Sequence, residues 1–265
     1  MSLTSVREKD RMADAAGVVR LALDVGEQIL LSGGEVGRVE DTVLRICTSY
    51  GAVRTDVFAI TSLVFVTAVW ENGEIVTQSR RIKEVGKCMR RLEELNSLSR
   101  RICTERPTLA EAEKAFSEIM KRSESSWVKV LIGSLLAATA YTAFFGGDLK
   151  DCLVAPFVAA VIFGSQFLTK KIGGNKFFSQ ALCSFLATAA ASFAVAMHLG
   201  SSVDHIMIGC IMILIPGISV THAVENLIIG DTIAGLISLS EALVIALALA
   251  GGFALSQSLF GGLLI

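Results

Sequence analysis

Hydrophobic and polar positions follow two different patterns in this chain of 265 residues. Over residues 1–126, apolar positions recur at helical or strand spacing among many charged residues, whereas residues 127–265 hold long runs that are almost wholly apolar. Elements that bury one face in a soluble core produce the first pattern, and helices surrounded by lipid produce the second. We therefore predict two domains, residues 1–126 and residues 127–265.

The charged half predicts a small α+β domain. Apolar positions at helical spacing indicate helices over residues 13–31, 36–50, 83–104 and 109–121. Segments rich in β-branched and aromatic residues indicate strands over residues 53–60, 62–70 and 75–82. An Asn-Gly turn in "ENGE" joins the last two strands as a hairpin. This order of elements predicts an α+β fold with an antiparallel sheet.

Local signals place the ends of these helices. Either glycine of "SGGE" can end the first helix in the left-handed conformation, and Ser32 with Glu35 has the capping-box spacing for the second helix. Thr108 and Glu111 repeat that spacing before the fourth helix. Several charged residues crowd the second helix, and we interpret them as a solvated face with intrahelical pairs. They are Arg38, Glu40, Asp41 and Arg45.

The apolar half predicts about five transmembrane helices. A bilayer core needs about 20 apolar residues as helix. Runs without charge, if histidines are neutral, cover residues 130–147, 152–169, 177–203, 205–224 and 242–265. Pro216-Gly217 cuts the fourth run. A soluble all-helical core is the alternative, but its helices would carry a polar stripe that these runs lack. The predicted fold class is thus an α-helical polytopic membrane protein with an N-terminal α+β cytoplasmic domain.

The loops between the apolar runs predict the orientation. The loop "TKKIGGNK" carries Lys170, Lys171 and Lys176, and Lys and Arg favour the cytoplasmic side. The N-terminal domain then lies in the cytoplasm, and five spans leave the C-terminus outside. The polar N-terminus does not resemble a secretory signal. The apolar runs and this orientation predict a multi-pass protein of the cell (inner) membrane.

Composition removes several classes of function. The chain has 24 Lys and Arg against 25 Asp and Glu, and no basic block that would indicate nucleic acid. None of its six cysteines forms a C-x-x-C pair, which argues against a zinc site or a disulfide framework. No nucleophile elbow, Walker loop or metal-spaced histidine set is present. We therefore expect no enzyme activity, no cofactor and no metal.

The interruption near Pro216 is the first candidate site. Transporters place substrate sites where membrane helices are broken, and irregular backbone at membrane depth needs a watery cavity or protein around it. The predicted substrate or ion pathway begins at Pro216 and Gly217 and continues through Thr221, His222, Glu225, Asn226 and Asp231. Glu225 is three residues from His222 and four from Thr221, so these side chains can share a helix face. A short interfacial helix with its polar face in water is the alternative.

Glu241 completes the predicted pathway. It lies on the last predicted helix, about two turns after the apolar stretch begins near Ile233 and directly before the uncharged run 242–265. An ionised carboxylate at membrane depth is costly and usually marks an ion path. We predict that Glu241 carries a proton. An interfacial Glu in contact with water is the alternative.

Two stretches together resemble the threonine/serine exporter family. They are "GEQILLSGGEVGRVEDTVLRICTSYG" (Gly26–Gly51) and "ILIPGISVTHAVENLIIGDTIAGL" (Ile213–Leu236), and their order and spacing extend the resemblance to nearly the whole chain. The family's Asn is His222 here, its Asp is Asn226, and its Arg near Ser238 is missing. The residues that match its second motif are Pro216, Gly217, Ala223, Gly230, Asp231 and Gly235.

The resemblance implies a transport function. Single-chain members have a cytoplasmic domain and about ten spans, and are taken to export small hydrophilic amino acids with the proton gradient. Shorter members have five spans and work with a small hydrophobic second subunit, and some are associated with dicarboxylate export. This chain has the shorter plan, which implies a subunit of a secondary transporter for threonine and serine or for small dicarboxylates. A membrane-anchored ligand-binding regulatory or scaffold protein is the alternative.

Small residues in the last run offer a surface for such a subunit. In lipid, helices associate largely through close backbone packing, which small residues permit. Four alanines recur at intervals of four on one helical face: Ala242, Ala246, Ala250 and Ala254. Ordinary packing within the chain and self-association into a homo-oligomer are the competing interpretations.

Overall fold

The structure is a computed structural model that describes residues 3–82, 86, 88–122, 126–172 and 175–261, with side chains from residue 15 onward except that of residue 172. The chain divides into two compact units. The first holds the described residues up to 122 together with Thr221–Ser238, and the second holds residues 126–220 together with those from Leu239 onward. A segment of the apolar half is therefore part of the first unit.

The first unit begins with the predicted order of elements. It consists of α1 (Leu3–Leu31), α2 (Val36–Ser49), β1 (Ala52–Ile60), β2 (Leu63–Trp70), β3 (Ile75–Arg81), α3 (Met89–Glu105) and α4 (Leu109–Lys121). The strands pair antiparallel in the order β1-β2-β3. Gly73, with φ of 79°, supplies the left-handed residue of the hairpin turn. The predicted α+β arrangement with its antiparallel sheet is confirmed.

The position of α2 is fixed by one apolar stripe. Val36, Val39, Val43 and Ile46 recur at intervals of three and four residues, and all are at most 3% exposed. They join one core with buried residues of α1 and the inward face of β2. Burying each such side chain contributes roughly 1.5–3 kcal/mol. The stripe therefore fixes the position of the N-terminus of α2, where the candidate site lies.

One of the two predicted capping boxes is correct. Thr108 Oγ1 accepts from the Glu111 N–H, and the Glu111 carboxylate accepts from the Thr108 N–H at 2.9 Å. The predicted box of Ser32 and Glu35 is wrong, because α2 starts at Val36 and Glu35 is itself the N-cap residue, with no side-chain cap bond. Its carboxylate is thus left for other contacts. Gly33, with φ of 90°, ends α1 as predicted.

The second unit contains most of the apolar half. Its helices are α5 (Trp127–Phe144), α6 (Leu149–Ile172), α7 (Lys176–Ala196) and α8 (Val203–Ile211), and it shares with the first unit α9 (Gly217–Ile228) and α10 (Thr232–Phe260). Within the described residues, α5, α6, α7 and α10 are long and apolar enough to cross a membrane. The structure thus gives four such helices where five were predicted. The predicted fourth run is split into α8 and α9, of 9 and 12 residues, at Pro216, which has no backbone N–H to continue a helix.

Polar contacts at one end of the second unit join two loops. Asp151, only 1% exposed, accepts from the backbone N–H groups of Ser201 at 2.7 Å and Ser202 at 3.0 Å. The Ser201 hydroxyl donates to Asp148, and His205 Nδ1 lies 3.7 Å from Asp151 Oδ2. The α5–α6 and α7–α8 loops therefore meet at the same end of the helices.

Candidate functional site

Within the first unit, the start of α2 meets the segment Thr221–Ser238. His222 Nε2 lies 3.8 Å from Glu35 Oε1, and the guanidinium of Arg38 lies 3.8 Å from the same oxygen. Gly37 is close to Ile229, since a Cβ on that glycine would lie 3.8 Å from Ile229 Cδ1. The two sequence stretches that carry the family resemblance are therefore in contact.

Two carboxylates lie further along this contact. Glu40 Oε1 accepts from the Ala59 N–H of β1 at 2.8 Å. Burial raises the pKa of Glu40, the Ala59 hydrogen bond lowers it, and the negative charge of Asp231 raises it again. Asp231 Oδ1 accepts from the N–H of Ala234, a core residue, at 3.3 Å. One oxygen of each carboxylate is thus held by backbone, while the other has no hydrogen-bond partner among the residues that the structure describes.

Asn226 is a buried donor on α9. It is 2% exposed, and its Nδ2 finds no acceptor in the described part of the chain. His222, one turn earlier, is half-buried and faces Glu35, whereas Thr221 and Glu225 are exposed. The structure therefore divides the predicted polar group into two faces, with His222 and Asn226 on the buried one.

The remaining predicted residues belong to the second unit. α8 ends at Ile211 and α9 begins at Gly217, so the helix break lies where Pro216 predicts it. Glu241 lies on α10 and is partly exposed. Pro216, Gly217 and Glu241 thus belong to the second unit, and the other five predicted residues belong to the first.

An apolar groove of about 770 Å³ also lies in the second unit. Its lining comes from α8, the break after it and α10, and Asp204 is the charged residue at its wall. Three members of the alanine ladder face it, namely Ala242, Ala246 and Ala250. A surface of this size and composition suits a hydrophobic occupant better than a small polar solute.

Neither unit offers a metal site in its described portion, where no group of three His, Cys, Asp or Glu is placed to hold an ion. Burial raises the pKa of the Cys47 thiol in the first unit to about 12, which keeps it protonated and unreactive. The chemistry of the contact between α2 and Thr221–Ser238 is therefore that of charges and hydrogen bonds.

Sequence reasoning missed the contribution of α2. Asp41 and Arg45 form the expected intrahelical pair at 2.7 Å, but Glu40 turns away from it to the sheet. The sequence did indicate that Glu40 is not on the solvent side of α2. It directly follows Val39 and precedes Val43 by three residues, at the edge of the buried stripe. The position of Glu40 in the sequence could not show that this edge of α2 contacts Thr221–Ser238, a segment nearly 200 residues later.

Comparisons with known proteins support the family resemblance that the stretches Gly26–Gly51 and Ile213–Leu236 carry. The sequence model of the threonine/serine exporter family matches residues 20–260. The chain is 24% identical over 225 residues to the threonine/serine exporter of Corynebacterium glutamicum, a match that covers 82% of this chain and 46% of that protein. The chain thus spans about half the length of this relative. No solved structure matches the chain.

Proposed function

The chain belongs to the threonine/serine exporter family, and on that premise we propose that it is a subunit of a secondary transporter that exports small hydrophilic amino acids such as threonine and serine. The observation that carries this proposal is the family match, which extends through both units. The four long apolar helices make the chain a multi-pass membrane protein, as an exporter must be. The Corynebacterium glutamicum relative is described as a threonine/serine exporter.

The proposal includes an orientation in the inner membrane. The first unit lies in the cytoplasm. Lys170, Lys171 and Lys176 flank the α6–α7 loop and favour the cytoplasmic side for it. The loops joined through Asp151 then lie outside. Thr221–Ser238 belongs to the first unit and is therefore assigned to the cytoplasmic side, from which an exported substrate enters.

We further propose that transport is coupled to protons through Glu241. The residue lies within α10, the longest of the four apolar helices. An ionised carboxylate is costly there and usually marks an ion path.

A second polypeptide completes the transporter in this proposal. The match covers 46% of the Corynebacterium glutamicum relative, so the chain spans about half of that protein's length. Secondary transporters commonly pair two structural repeats around a central site. The apolar groove beside Ala242, Ala246 and Ala250 is the surface we assign to a hydrophobic helix of that subunit, since small residues permit close approach of a helix backbone.

Efflux from vesicles tests the function. Vesicles from cells that express the chain, with and without a co-expressed small hydrophobic partner, are loaded with labelled threonine, serine or succinate. We expect efflux of the two amino acids with the pair, dependence on a proton gradient, and little efflux with the chain alone. Equal export by the chain alone would leave a homo-oligomer as the transporter. Efflux of succinate only would contradict the amino-acid substrate, and no efflux at all would favour a membrane-anchored regulatory protein.

A further inference from the structure

We propose that one corner of the sheet in the first unit binds the anionic surface of the lipid bilayer. The sheet corner consists of Phe58, Ile60, Leu63, Phe65 and Arg81, with the apolar side chains at the lipid interface and the guanidinium at the head groups. This contact is independent of the exported solute, and it requires only that the long apolar helices lie in a membrane.

The sheet buries one face and exposes the other. Val64, Val66 and Ala68 of β2 are fully buried in the core of the first unit. Successive side chains of a strand point to opposite faces, so Leu63 and Phe65 point away from that core. An antiparallel sheet with one solvated face commonly carries polar residues on it. Phe65, which is 41% exposed, departs from that rule.

The exposed apolar side chains of the sheet corner are neighbours. Phe58 pairs directly with Phe65 across β1 and β2, and Ile60 pairs with Leu63 one step further along. Phe58 is 45% exposed. Arg81 of β3 pairs with Leu63 from the other side and is also exposed. Two aromatic rings, two aliphatic side chains and a cation therefore share one corner of the face.

The middle of the same face is polar. Thr67 and Thr77 form a hydrogen bond at 2.9 Å, and Asp56 pairs with Arg54 at 2.9 Å. Ile75 lies beyond this polar band, at the opposite end of the face. Exposed apolar residues that adjoin one another and are bordered by polar ones mark an interaction surface. The corner, rather than the whole sheet, therefore has the composition of such a surface.

The sheet corner lies at the same end of the first unit as the C-terminus of α4. Arg80, next to the corner, lies 3.8 Å from Glu27 in the last part of α1. The residue before α3 donates its N–H to the carbonyl of Ser32, directly after α1, at 3.0 Å. Arg122, directly after α4, donates to Glu94 near the start of α3 at 2.9 Å. These contacts bring the end of β3, the end of α1, the start of α3 and the end of α4 together.

A short connection holds this end of the first unit near the bilayer. α5, which is long and apolar enough to cross a membrane, begins at Trp127, five residues after Arg122. Five residues reach at most about 18 Å. The end that carries the sheet corner is therefore the part of the first unit that this connection keeps beside the lipid surface.

Charge favours anionic lipid as the partner. Arg81 has no ion pair within the described part of the chain. In the sequence, the segment 80–91 continues from it with Lys or Arg at positions 80, 81, 83, 87, 90 and 91, against the acid Glu84. Basic residues close to a membrane helix attract anionic head groups. A second copy of the chain packed on this corner would bring the same positive charges against each other, so lipid fits better than self-association.

Brominated lipids test the contact, because they quench a tryptophan that lies in the bilayer. Trp70 and Trp127 of the full chain are replaced by Phe, and a single tryptophan is introduced by Phe65→Trp in the sheet corner. Ile75→Trp is the matched control, since Ile75 is exposed at the other end of the same face. Each chain is reconstituted into vesicles of phosphatidylcholine and phosphatidylglycerol, with or without bromine on the acyl chains. We expect the fluorescence of Phe65→Trp to fall at least twofold and that of Ile75→Trp to change little.

A change of charge tests the anionic partner. Phosphatidylglycerol should increase the quenching of Phe65→Trp over that in phosphatidylcholine alone. Arg81→Gln should remove at least half of this increase. Arg100→Gln, which changes an exposed cation in the later part of α3, should leave it unchanged. Thermal unfolding in detergent checks that every variant is folded.

Equal quenching of the two tryptophans would overturn the assignment to the sheet corner. Phe65→Trp that stays unquenched in a folded chain would overturn the membrane contact, and a blue-shifted emission in that case would identify a protein surface as the cover. Quenching that does not respond to phosphatidylglycerol would overturn the anionic partner. Since none of these measurements involves a solute, threonine efflux with an unquenched corner would overturn this proposal alone and leave the exporter function supported.

Discussion

The hydroxyl of Ser184 on α7 donates to the backbone carbonyl of Leu249 on α10 at 2.8 Å, and both residues are buried. A side chain can reach the backbone of a neighbouring helix only when the two helices approach closely. Gly252, one turn after Leu249, provides that approach, because a Cβ there would overlap the carbonyl oxygen of Ala181. Small residues and an interhelical hydrogen bond are the usual means of helix association in lipid.

Gly252→Ala is therefore expected to destabilise the chain by about 1–3 kcal/mol, the usual cost of adding a methyl group where backbone blocks it. Gly251→Ala is the matched control, since a Cβ at Gly251 meets no described atom within 4 Å. Thermal unfolding of the purified chain in detergent measures both. Equal melting temperatures for the two variants would show that α7 and α10 are not packed as described.

Asp151→Asn is expected to destabilise the loops that Asp151 joins. An Asn side chain keeps one acceptor but loses the charge that strengthens the bonds from Ser201 and Ser202, at a cost of about 1–3 kcal/mol. His205→Gln should cost less than about 1 kcal/mol, because His205 is half-exposed and 3.7 Å away. Protease cleavage in the α7–α8 loop, measured over time, should increase only in Asp151→Asn. A larger increase in His205→Gln would assign the stabilisation to the ion pair.

Thr108→Ala is expected to weaken the start of α4 by about 1 kcal/mol, because it removes the capping side chain. Hydrogen-exchange protection of the first turn of α4 should fall accordingly. Ser126→Ala is the control, since Ser126 precedes α5 without a side-chain cap bond. An equal loss of protection at both helix starts would contradict the capping box.

The same capping box predicts a pH dependence. Hydrogen bonds from Thr108 hold the pKa of Glu111 below its ordinary value of 4.5. A carboxyl whose pKa is lower in the folded state contributes stability above its unfolded pKa and loses it as the pH falls through the folded pKa. The protection that Thr108 confers on α4 should thus decline at pH values below about 4.5. Thr108→Ala should show no such decline beyond that of the rest of the unit.

Glu241→Gln tests proton coupling. We expect the variant to fold, because it replaces the carboxylate with an amide of the same size, while efflux loses its dependence on the proton gradient. Glu118→Gln, which changes an exposed residue of α4, is the control. Gradient-driven efflux that persists at the wild-type rate in Glu241→Gln would end this assignment.

The fold could be predicted from the sequence wherever a local pattern decides the structure. Strand and helix order, the α1 terminus at Gly33 and the Thr108 cap all depend on residues close in the chain. The capping box that the spacing of Ser32 and Glu35 predicted is wrong. Burial of Val36 fixes the start of α2 at that residue, which makes Glu35 the N-cap residue. The count of five spans was wrong because the fourth apolar run, which Pro216-Gly217 was expected to cut, is divided into α8 and α9, and neither is long enough to cross a membrane by itself.

The candidate site was predicted in part. The polar residues of α9 could be recognised because they interrupt an apolar run. Their faces could not be assigned, because His222 pairs with Glu35 and Asn226 is buried through contacts that no local pattern contains. Glu40 was interpreted as a solvated residue since its neighbours Asp41 and Arg45 are solvated.

The contact between the start of α2 and Thr221–Ser238 has a consequence for the history of the family. Glu35 and His222 lie far apart in the sequence, yet a change in the charge of one alters the surroundings of the other. Selection then acts on the two positions as one unit, and a substitution at either is retained more readily when the other compensates. Among homologous chains we expect positions 35 and 222 to covary. The two sequence motifs of this family would then evolve together rather than independently.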